Sequence, residues 1–406
     1  LSFDRCDPVF IECEEDMRVD GPYKQQRYVD IDGKNILIVS GITVPAFSTV
    51  KLDLVKGKIE NITPFKQEGN SLETPFAEIE FDEKGFISSF KDKDSGRQLK
   101  DENGYALNTF IMAEDLPHDW DNWDIDSDIE LKFKDCAVLS SRKVVSEGAA
   151  ALIIRSTYTL SEKSSILQDM IFFADSKEVR FETLMNWNDD HRLLKTAFDT
   201  TIRSDYARSE IQYGNALRPT TRNNSVEKAK FEIVNHKYTD LSETRFGVSI
   251  LNDSKYAISA EGGNLRLSLH KGGLRPDFTG DHGLHRTIYS FLPHNGAFSA
   301  GSVVKPAYEL NEPAVQGKGE FELKPLVLVD AENIIIEVIK PCEDNEKAFI
   351  VRFYEAEGTY TETNIKFFDG AVKAEITNML EEPQGEPVEG KLAFRPFEIK
   401  TVKVNY

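Results

Sequence analysis

The stretch FAEIEF, residues 76–81, alternates apolar and polar side chains with a period of two. This alternation is typical of a half-buried β-strand, because successive side chains point to opposite faces. DEKG follows at 82–85 and FISSF at 86–90. The segment therefore predicts a hairpin in which Gly85 takes the left-handed turn position. The residues expected on its buried face are Ala77, Ile79 and Phe81.

Similar strand patterns recur along the chain. They are found in LIIRSTYTL (152–160), VRFETLMNW (179–187), NIIIEVIK (333–340) and FIVRFYE (349–355). These runs are rich in β-branched and aromatic residues, which favour strands. We find no long segment with convincing apolar spacing at i, i+3, i+4 and i+7. The sequence therefore predicts an all-β protein with stacked sheets.

Two polar stretches that contain proline and glycine, 61–75 and 293–320, suggest domain boundaries. They divide the chain into three units: an N-terminal small β-sandwich piece at 1–70, a central region at 71–300 and a C-terminal β-sandwich at 301–406. A single open sheet of the central size would be unusual, so we predict a large two-sheet sandwich there.

The charge of the chain restricts its partners. There are 69 acidic and 49 basic residues, a formal net charge of -20. Such a balance disfavours nucleic acid and anionic membrane, which bind to cationic surfaces, and is compatible with a neutral partner such as a sugar. No apolar run approaches the roughly 18 residues of a membrane span.

Four cysteines in a chain of 406 residues do not form a disulfide framework, and no CxxC pair occurs. This composition favours a reducing, cytoplasmic location. The chain begins at Leu1 without an initiator methionine or a signal-peptide pattern. We therefore expect a fragment of a longer protein.

The segment PDFTGDHGLH, residues 276–285, is the densest candidate site. It contains two carboxylates and two imidazoles, from Asp277, Asp281, His282 and His285. Zinc sites use three or four such ligands, and here His270, His294 or a remote acid would have to complete the set. Three interpretations remain open on the residues alone: a metal site, a substrate contact and a structural loop.

The most acidic window is EDLPHDWDNWDIDSD, residues 114–128. From Asp124 onward it is similar to the start of a calcium loop, but Ile129 stands where the turn needs glycine and Asp135 replaces the bidentate glutamate. An EF-hand is therefore disfavoured. A solvated loop anchored by Trp120 and Trp123 remains, as does a sugar-binding surface on which ring faces stack and acids bind hydroxyls.

Two further groups are ambiguous. His191, beside two acids in DDHRLLK (189–195), is either a general base or part of a charged strand end. Arg218 and Arg222 either clamp an anion or form internal ion pairs, and the acidity of the chain favours ion pairs.

Several segments, in order, resemble the C-terminal β region of glycoside hydrolase family 38, the α-mannosidases, of the bacterial and cytosolic type. The strongest is a PD-x3-D-x-G-x-H element followed by an aromatic-rich strand and a PH turn. Its residues here are Pro276, Asp277, Asp281, Gly283, His285, Tyr289, Pro293 and His294. Supporting segments are WDID (123–126), NWNDDHRLLKTAF (186–198), EIQYGNALRPTTRN (210–223), FEIVNHKYTDLSE (231–243) and FRPFEIKTVKV (394–404).

The resemblance implies a large supersandwich of the galactose-mutarotase type, with smaller β-sandwiches before and after it. It also implies retaining hydrolysis of α-mannosides, with zinc holding sugar hydroxyls and two carboxylic acids acting through a covalent intermediate. In the family these groups belong to an N-terminal α/β barrel and the segment after it. The barrel's H-x-D motif does not occur here. The histidine most closely followed by an acid is His118, before Asp119, and it stands in the wrong sequence context.

We therefore assign no catalytic residue and no metal ligand within this chain, and we expect zinc in the missing catalytic domain. The expected partners are an α-mannoside, the protein's own N-terminal catalytic domain and a second copy of the chain. Residues that we expect to shape the sugar-facing rim or brace the domain contact are Arg275, Asp277, Asp281, His285, Trp123 and Asp124. A self-satisfied turn at Asp281 is the alternative for this loop.

Two other functions compete with this interpretation. One is a free-standing carbohydrate-binding β module. The other is a mutarotase-like enzyme, which would require a histidine and a glutamate to converge in a cleft on the central sheet. The candidates for this pair are His191, His236 and Glu232.

Overall fold

The computed structural model describes residues 1–60 and 62–406, and its regular secondary structure consists almost entirely of antiparallel strands. The 76–90 hairpin is confirmed, with strands Ala77–Phe81 and Ile87–Asp92 and with Gly85 at φ +82°. Asp82 stabilises the turn, because its carboxylate accepts hydrogen bonds from the N–H groups of Lys84 and Phe86. The predicted apolar face is buried and its opposite face is exposed.

Two large sheets form the predicted central sandwich. The nine-stranded sheet contains, in spatial order, Val138–Glu147, Ala151–Thr159, Ser165–Phe173, Val179–Trp187, Gly283–Asn295, Phe246–Asn252, Tyr238–Ser242, Tyr206–Ile211 and Gly214–Pro219. The six-stranded sheet contains Lys134–Asp135, Thr109–Glu114, Arg192–Asp199, Asn264–Lys271, Ala257–Glu261 and Ile233–Val234. The hairpin belongs to a four-stranded sheet, with Lys66–Glu68, Ser71–Glu73, Ala77–Phe81 and Ile87–Asp92.

Smaller sheets lie towards both ends of the chain. The N-terminal sheets contain Val9–Glu12, Asn35–Ser40 and Lys24–Val29, and separately Met17–Val19 with Leu54–Lys56. One C-terminal sheet contains Val327–Val329, Thr361–Phe367 and Lys391–Phe394. The other contains Ile334–Pro341, Ala348–Glu355, Ile399–Asn405, Lys373–Thr377 and Pro383–Pro387. The all-β prediction is confirmed, while the exact three-unit division stays a prediction and its boundary residue Asn61 lies outside the described residues.

Among the described residues, helical structure is confined to short segments. These are Ser127–Leu131, Ser225–Lys228, a π-helical turn at Ala300–Val304 and an α-helix at Lys305–Asn311. The last two fall inside the polar stretch 293–320, where the sequence analysis did not predict a helix. Their buried side chains recur at helical spacing: Ala300, Val303, Val304, Ala307 and Tyr308. The pattern is only three turns long and is interrupted by a proline, which is tolerated in the first turn. No helix in the described part of the chain is long and apolar enough to cross a membrane.

Both faces of the nine-stranded sheet are covered. Its inner face packs against the six-stranded and four-stranded sheets in one apolar core, which includes Phe181, Phe198 and Phe291. Its outer face carries the N-terminal strands at one side and the 300–311 helical segment at the other. Polar residues on this outer face are consequently buried, and Arg180 is ion-paired with Glu178 at 2.9 Å. The sequence pattern of 179–187 predicted the apolar side of the strand but not the burial of its polar side.

Gln26 joins the N-terminal sheet to the central sandwich. Its Oε1 accepts hydrogen bonds from the N–H groups of Ala150 and Ala151, and its Nε2 donates to Ser146 Oγ. A Cβ atom at Gly148 would lie 2.8 Å from the Gln26 side chain, so the turn and the glutamine are closely packed. The N-terminal strands are thus attached through specific hydrogen bonds as well as apolar contacts.

Replacing Gln26 with alanine is expected to lower the free energy of unfolding by about 1–3 kcal/mol, because two buried N–H groups lose their acceptor. The matched control is Gln67→Ala, on the exposed face of Lys66–Glu68. Urea unfolding followed by circular dichroism measures the difference. Equal midpoints for the two variants would contradict this role of Gln26.

Candidate functional site

Three loops meet at one end of the central sandwich. They comprise residues 114–128, 188–192 and 270–285, and are called the loop cluster below. The antiparallel register of the six-stranded sheet brings them together, since Glu114 pairs with Arg192 and Leu193 pairs with Lys271. The two densest candidate segments of the sequence analysis therefore belong to a single surface.

Asp121 holds the three loops together. Its carboxylate accepts hydrogen bonds from the N–H groups of Leu274 (3.0 Å) and Arg275 (2.7 Å), and from His191 Nδ1 at 2.9 Å. Burial acts to raise the pKa of Asp121, but these hydrogen bonds outweigh it, so the pKa lies below its ordinary value. His191 therefore positions a carboxylate here. The general-base interpretation gains no support from this contact.

Asn122 continues the connection between the first and third loops. Its N–H donates to the carbonyl of Arg275 at 2.8 Å, and its Oδ1 accepts from the N–H of Asp277 at 2.8 Å. The next two residues along the chain are Trp123 and Asp124. Four of the six predicted rim residues are thus brought together through backbone contacts that the sequence analysis did not identify.

The loops approach too closely for side chains at two positions. A Cβ atom at Gly272 would lie 2.3 Å from the carbonyl oxygen of Asp189, and one at Gly273 would lie 2.6 Å from that of Asp121. Three residues in the loop cluster that are not glycine also adopt left-handed backbone angles: Trp120, His191 and Asp281. Such strain tends to concentrate at functional sites, where the surrounding structure enforces it.

In the second half of the segment 276–285, the imidazole of His285 packs against that of His270. His285 Nε2 donates to the carbonyl of Asp281 at 2.6 Å, and the His285 ring lies 4.4 Å from that of His270. His270 also packs on Trp187, with 4.8 Å between ring centroids. Burial, and then the charges of His285 and Lys255, lower the pKa of His270 to about 3. This imidazole is therefore neutral near pH 7.

The metal and turn interpretations of this segment are weakened by the geometry. Within residues 1–60 and 62–406, no three His, Cys, Asp or Glu side chains are grouped so that they could hold a metal ion. His294 lies at the far end of strand Gly283–Asn295, roughly 30 Å from His285 at 3.4 Å per residue. Asp277 accepts hydrogen bonds from Thr279, whereas the carboxylate of Asp281 has no hydrogen-bond partner among the described residues.

The outer surface of the loop cluster combines charge with apolar area. Trp120 and Trp123 stack with 5.9 Å between centroids, and the indole of Trp123 is 75% exposed. Phe278 is 80% exposed, and neighbouring Arg275 and Asp277 are exposed as well. Large exposed aromatic side chains beside charged groups are typical of binding and docking surfaces.

The remaining candidates take structural roles. Residues 127–131 form a 3-10 helix where a calcium loop would continue. Arg222 Nη2 lies 3.7 Å from Glu130 Oε1, which agrees with internal ion pairing at that residue, whereas Arg218 forms no ion pair among the described residues.

The acid and base of a mutarotase-like enzyme are not assembled. The carboxylate of Glu232 pairs with Lys195 and His236 packs on Tyr256. His191, as described above, is bonded to Asp121, so none of these contacts joins two of the three groups.

The low pKa of His270 predicts how stability depends on pH. The unfolded chain binds a proton at this imidazole below about pH 6.5, whereas the folded chain does not until about pH 3. The contribution of neutral His270 to the free energy of unfolding is therefore fully present above about pH 6.5 and decreases as the pH falls. From pH 7.5 to 5.5, wild type should lose about 1 kcal/mol more than His270→Gln does.

Unfolding midpoints at the two pH values measure this difference, and exposed His118→Gln is the matched control. A wild-type pH dependence that is unchanged in His270→Gln would show that His270 is not kept neutral by the fold.

Comparisons with known proteins agree with the fold. The model described as glycosyl hydrolases family 38 C-terminal domain matches residues 72–279, and that of the family 38 C-terminal beta sandwich domain matches residues 333–402. A crystal structure of an alpha-mannosidase from Enterococcus faecalis V583 aligns with a TM-score of 0.74 at 16% identity, covering 98% of this chain and 51% of that one.

Curated relatives give the same family. Alpha-mannosidase G of Dictyostelium discoideum is 34% identical over 354 residues, which cover 82% of this chain and 32% of that protein. Alpha-mannosidase 2C1 of Homo sapiens is 30% identical over 344 residues, which cover 81% and 33%. The chain thus spans about a third of the length of these relatives. Because it matches the models of both C-terminal domains of the family, the chain belongs to glycoside hydrolase family 38.

Proposed function

We propose that this chain is the non-catalytic C-terminal region of a retaining α-mannosidase, and that its loop cluster borders the mannoside site of the complete enzyme. The observation that carries the proposal is the match to both C-terminal domains of the family, in a chain that spans a third of relatives named alpha-mannosidase. Glycoside hydrolysis of this type uses a carboxylate nucleophile and a carboxylic acid on the two sides of the glycosidic bond. We place both on the catalytic region.

The loop cluster suits a supporting role beside a sugar. Its exposed indoles offer flat apolar faces, and Arg275, Asp277 and Asp281 offer charged hydrogen-bonding groups to hydroxyls. Asp121 and Asn122 hold the backbone beneath these side chains, so little ordering is needed when a ligand or a domain docks. In this proposal the cluster orients the substrate and excludes water, and no proton transfer is assigned to it.

Zinc is part of the proposal only for the catalytic region, where it would hold sugar hydroxyls when bound. The described residues provide no group of ligands that fits it. We further propose a reducing, cytoplasmic location, which the four free cysteines support. A free-standing carbohydrate-binding module is the second candidate function, and it draws on the same exposed aromatic and acidic surface.

Hydrolysis of an aryl α-mannoside, with zinc added, tests the proposed function in the complete enzyme and in the 406-residue chain alone. We expect activity only in the complete enzyme. Within it, Trp123→Ala and Asp277→Asn should each lower kcat/KM about ten-fold without changing the melting temperature, a loss of about 1.4 kcal/mol in transition-state binding.

The matched controls are exposed residues outside the loop cluster, Tyr360→Ala and Asp344→Asn, which should leave kcat/KM unchanged. Hydrolysis by the isolated chain would contradict the assignment of catalysis to another region. Unchanged kinetics in both loop-cluster variants would contradict the role of the loop cluster.

A further inference from the structure

A recess of about 530 Å³ lies at the opposite end of the six-stranded sheet from the loop cluster. Strand Arg192–Asp199 connects the two places, and its eight residues span roughly 23 Å at 3.3 Å per residue. The recess is formed by the loop 101–105, by Asp199 and by the start of strand Asn264–Lys271. Its volume falls within the range of small-molecule sites, about 300–1,000 Å³.

The floor of the recess is rigid. The Asp199 carboxylate, 2% exposed, accepts hydrogen bonds from the N–H of Tyr105 at 2.9 Å and from Nη2 of Arg266 at 3.2 Å. The Arg266 guanidinium lies 5.5 Å from the centre of the Tyr105 ring. A Cβ atom at Gly104 would lie 2.4 Å from Cβ of Asp199, so the loop packs directly on this carboxylate. A planar cation and an aromatic ring are thereby held in fixed positions.

The walls of the recess supply unused hydrogen-bonding groups. Among the described residues, the carboxamides of Asn103 and Asn264 have no hydrogen-bond partner, and each offers two donors and an acceptor oxygen. Asp101 is paired with Arg203 at 3.0 Å and retains acceptor capacity. Asp101 and Asp199 are each paired with an arginine, so neither carboxylate is left without a counter-charge.

These features select one class of ligand. Arg266 donates to Asp199 through Nε and Nη2, and this pairing leaves no unbalanced cation in the recess to attract a phosphate or carboxylate. A neutral ligand with several hydroxyl groups matches the two carboxamides, since each hydroxyl both donates and accepts. The Tyr105 ring adds an apolar surface of the kind on which a sugar face packs.

We propose that this recess is a second, non-catalytic saccharide-binding site, which takes a single pyranoside unit of a neutral glycan. It is separate from the loop cluster and does not depend on the proposed function of that surface. A polar, solvent-open site must displace bound water, so its affinity is expected to be modest, with Kd on the order of millimolar.

Saturation-transfer NMR tests the proposal on the 406-residue chain with three probes: methyl α-mannoside, methyl β-glucoside and methyl β-galactoside. At least one probe should bind with Kd below about 50 mM. The double variant Asn103→Ala/Asn264→Ala should weaken that binding at least ten-fold, because it removes both free carboxamides. Asn103→Leu, which keeps the shape of the side chain but removes its polar atoms, should weaken it likewise.

Two controls separate this site from the loop cluster. Asn223→Ala removes an exposed carboxamide outside the recess and should leave binding unchanged, whereas Trp123→Ala reports any binding at the loop cluster. Loss of binding in Trp123→Ala but not in the double variant would overturn the proposal and place sugar binding at the loop cluster. Absence of binding for all three probes at about 50 mM would overturn it as well. Melting temperatures of the variants confirm that they are folded.

Discussion

The central strands of the nine-stranded sheet are covered on both faces, and this constraint determines where the neighbouring sheets and the helical segment pack. Apolar residues on its inner face pack against the six-stranded and four-stranded sheets. Its outer face is shared by the N-terminal strands and the helical segment 300–311. Polar residues there are removed from water and must be paired, as Arg180 is with Glu178 and Arg155 is with Asp169. The helical segment in turn contacts strands Ile334–Pro341 and Ala348–Glu355 through Ile335 and Tyr354, which connects one C-terminal sheet to the nine-stranded sheet.

The strands were predictable from sequence because a period of two is a local signal that burial on one face imposes. The hairpin at 76–90 and the strand at 179–187 follow it directly. The helical segment at 300–311 could not be predicted in the same way, since three turns with a proline provide little periodicity and its burial comes from two separate sheets. The burial of the outer sheet face was likewise not predictable, because it depends on contacts with distant segments and not on the sequence pattern of the strand.

The candidate site was only half predictable for the same reason. The segments around Trp123 and Asp277 are conspicuous because of their composition, and the resemblance to family 38 placed them in one region. Their actual connection is made by Asp121 and Asn122, which bond to backbone groups more than 150 residues away. An aspartate that accepts main-chain N–H groups has no sequence signature beyond its residue type. In the sequence, His191 and His270 are candidates for a general base and a metal ligand. In the structure His191 positions the carboxylate of Asp121, and His270 packs on Trp187 as a neutral imidazole.

The central claim is that the loop cluster, rather than another surface, faces the catalytic region of the complete enzyme. Hydrogen–deuterium exchange of the 406-residue chain, compared with that of the complete enzyme, tests it most directly. The account predicts that amides within 114–128 and 272–285 exchange more slowly in the complete enzyme, while those around the recess at Asp101 and Asn264 do not change. Slower exchange confined to other surfaces, with the loop cluster unaffected, would contradict it.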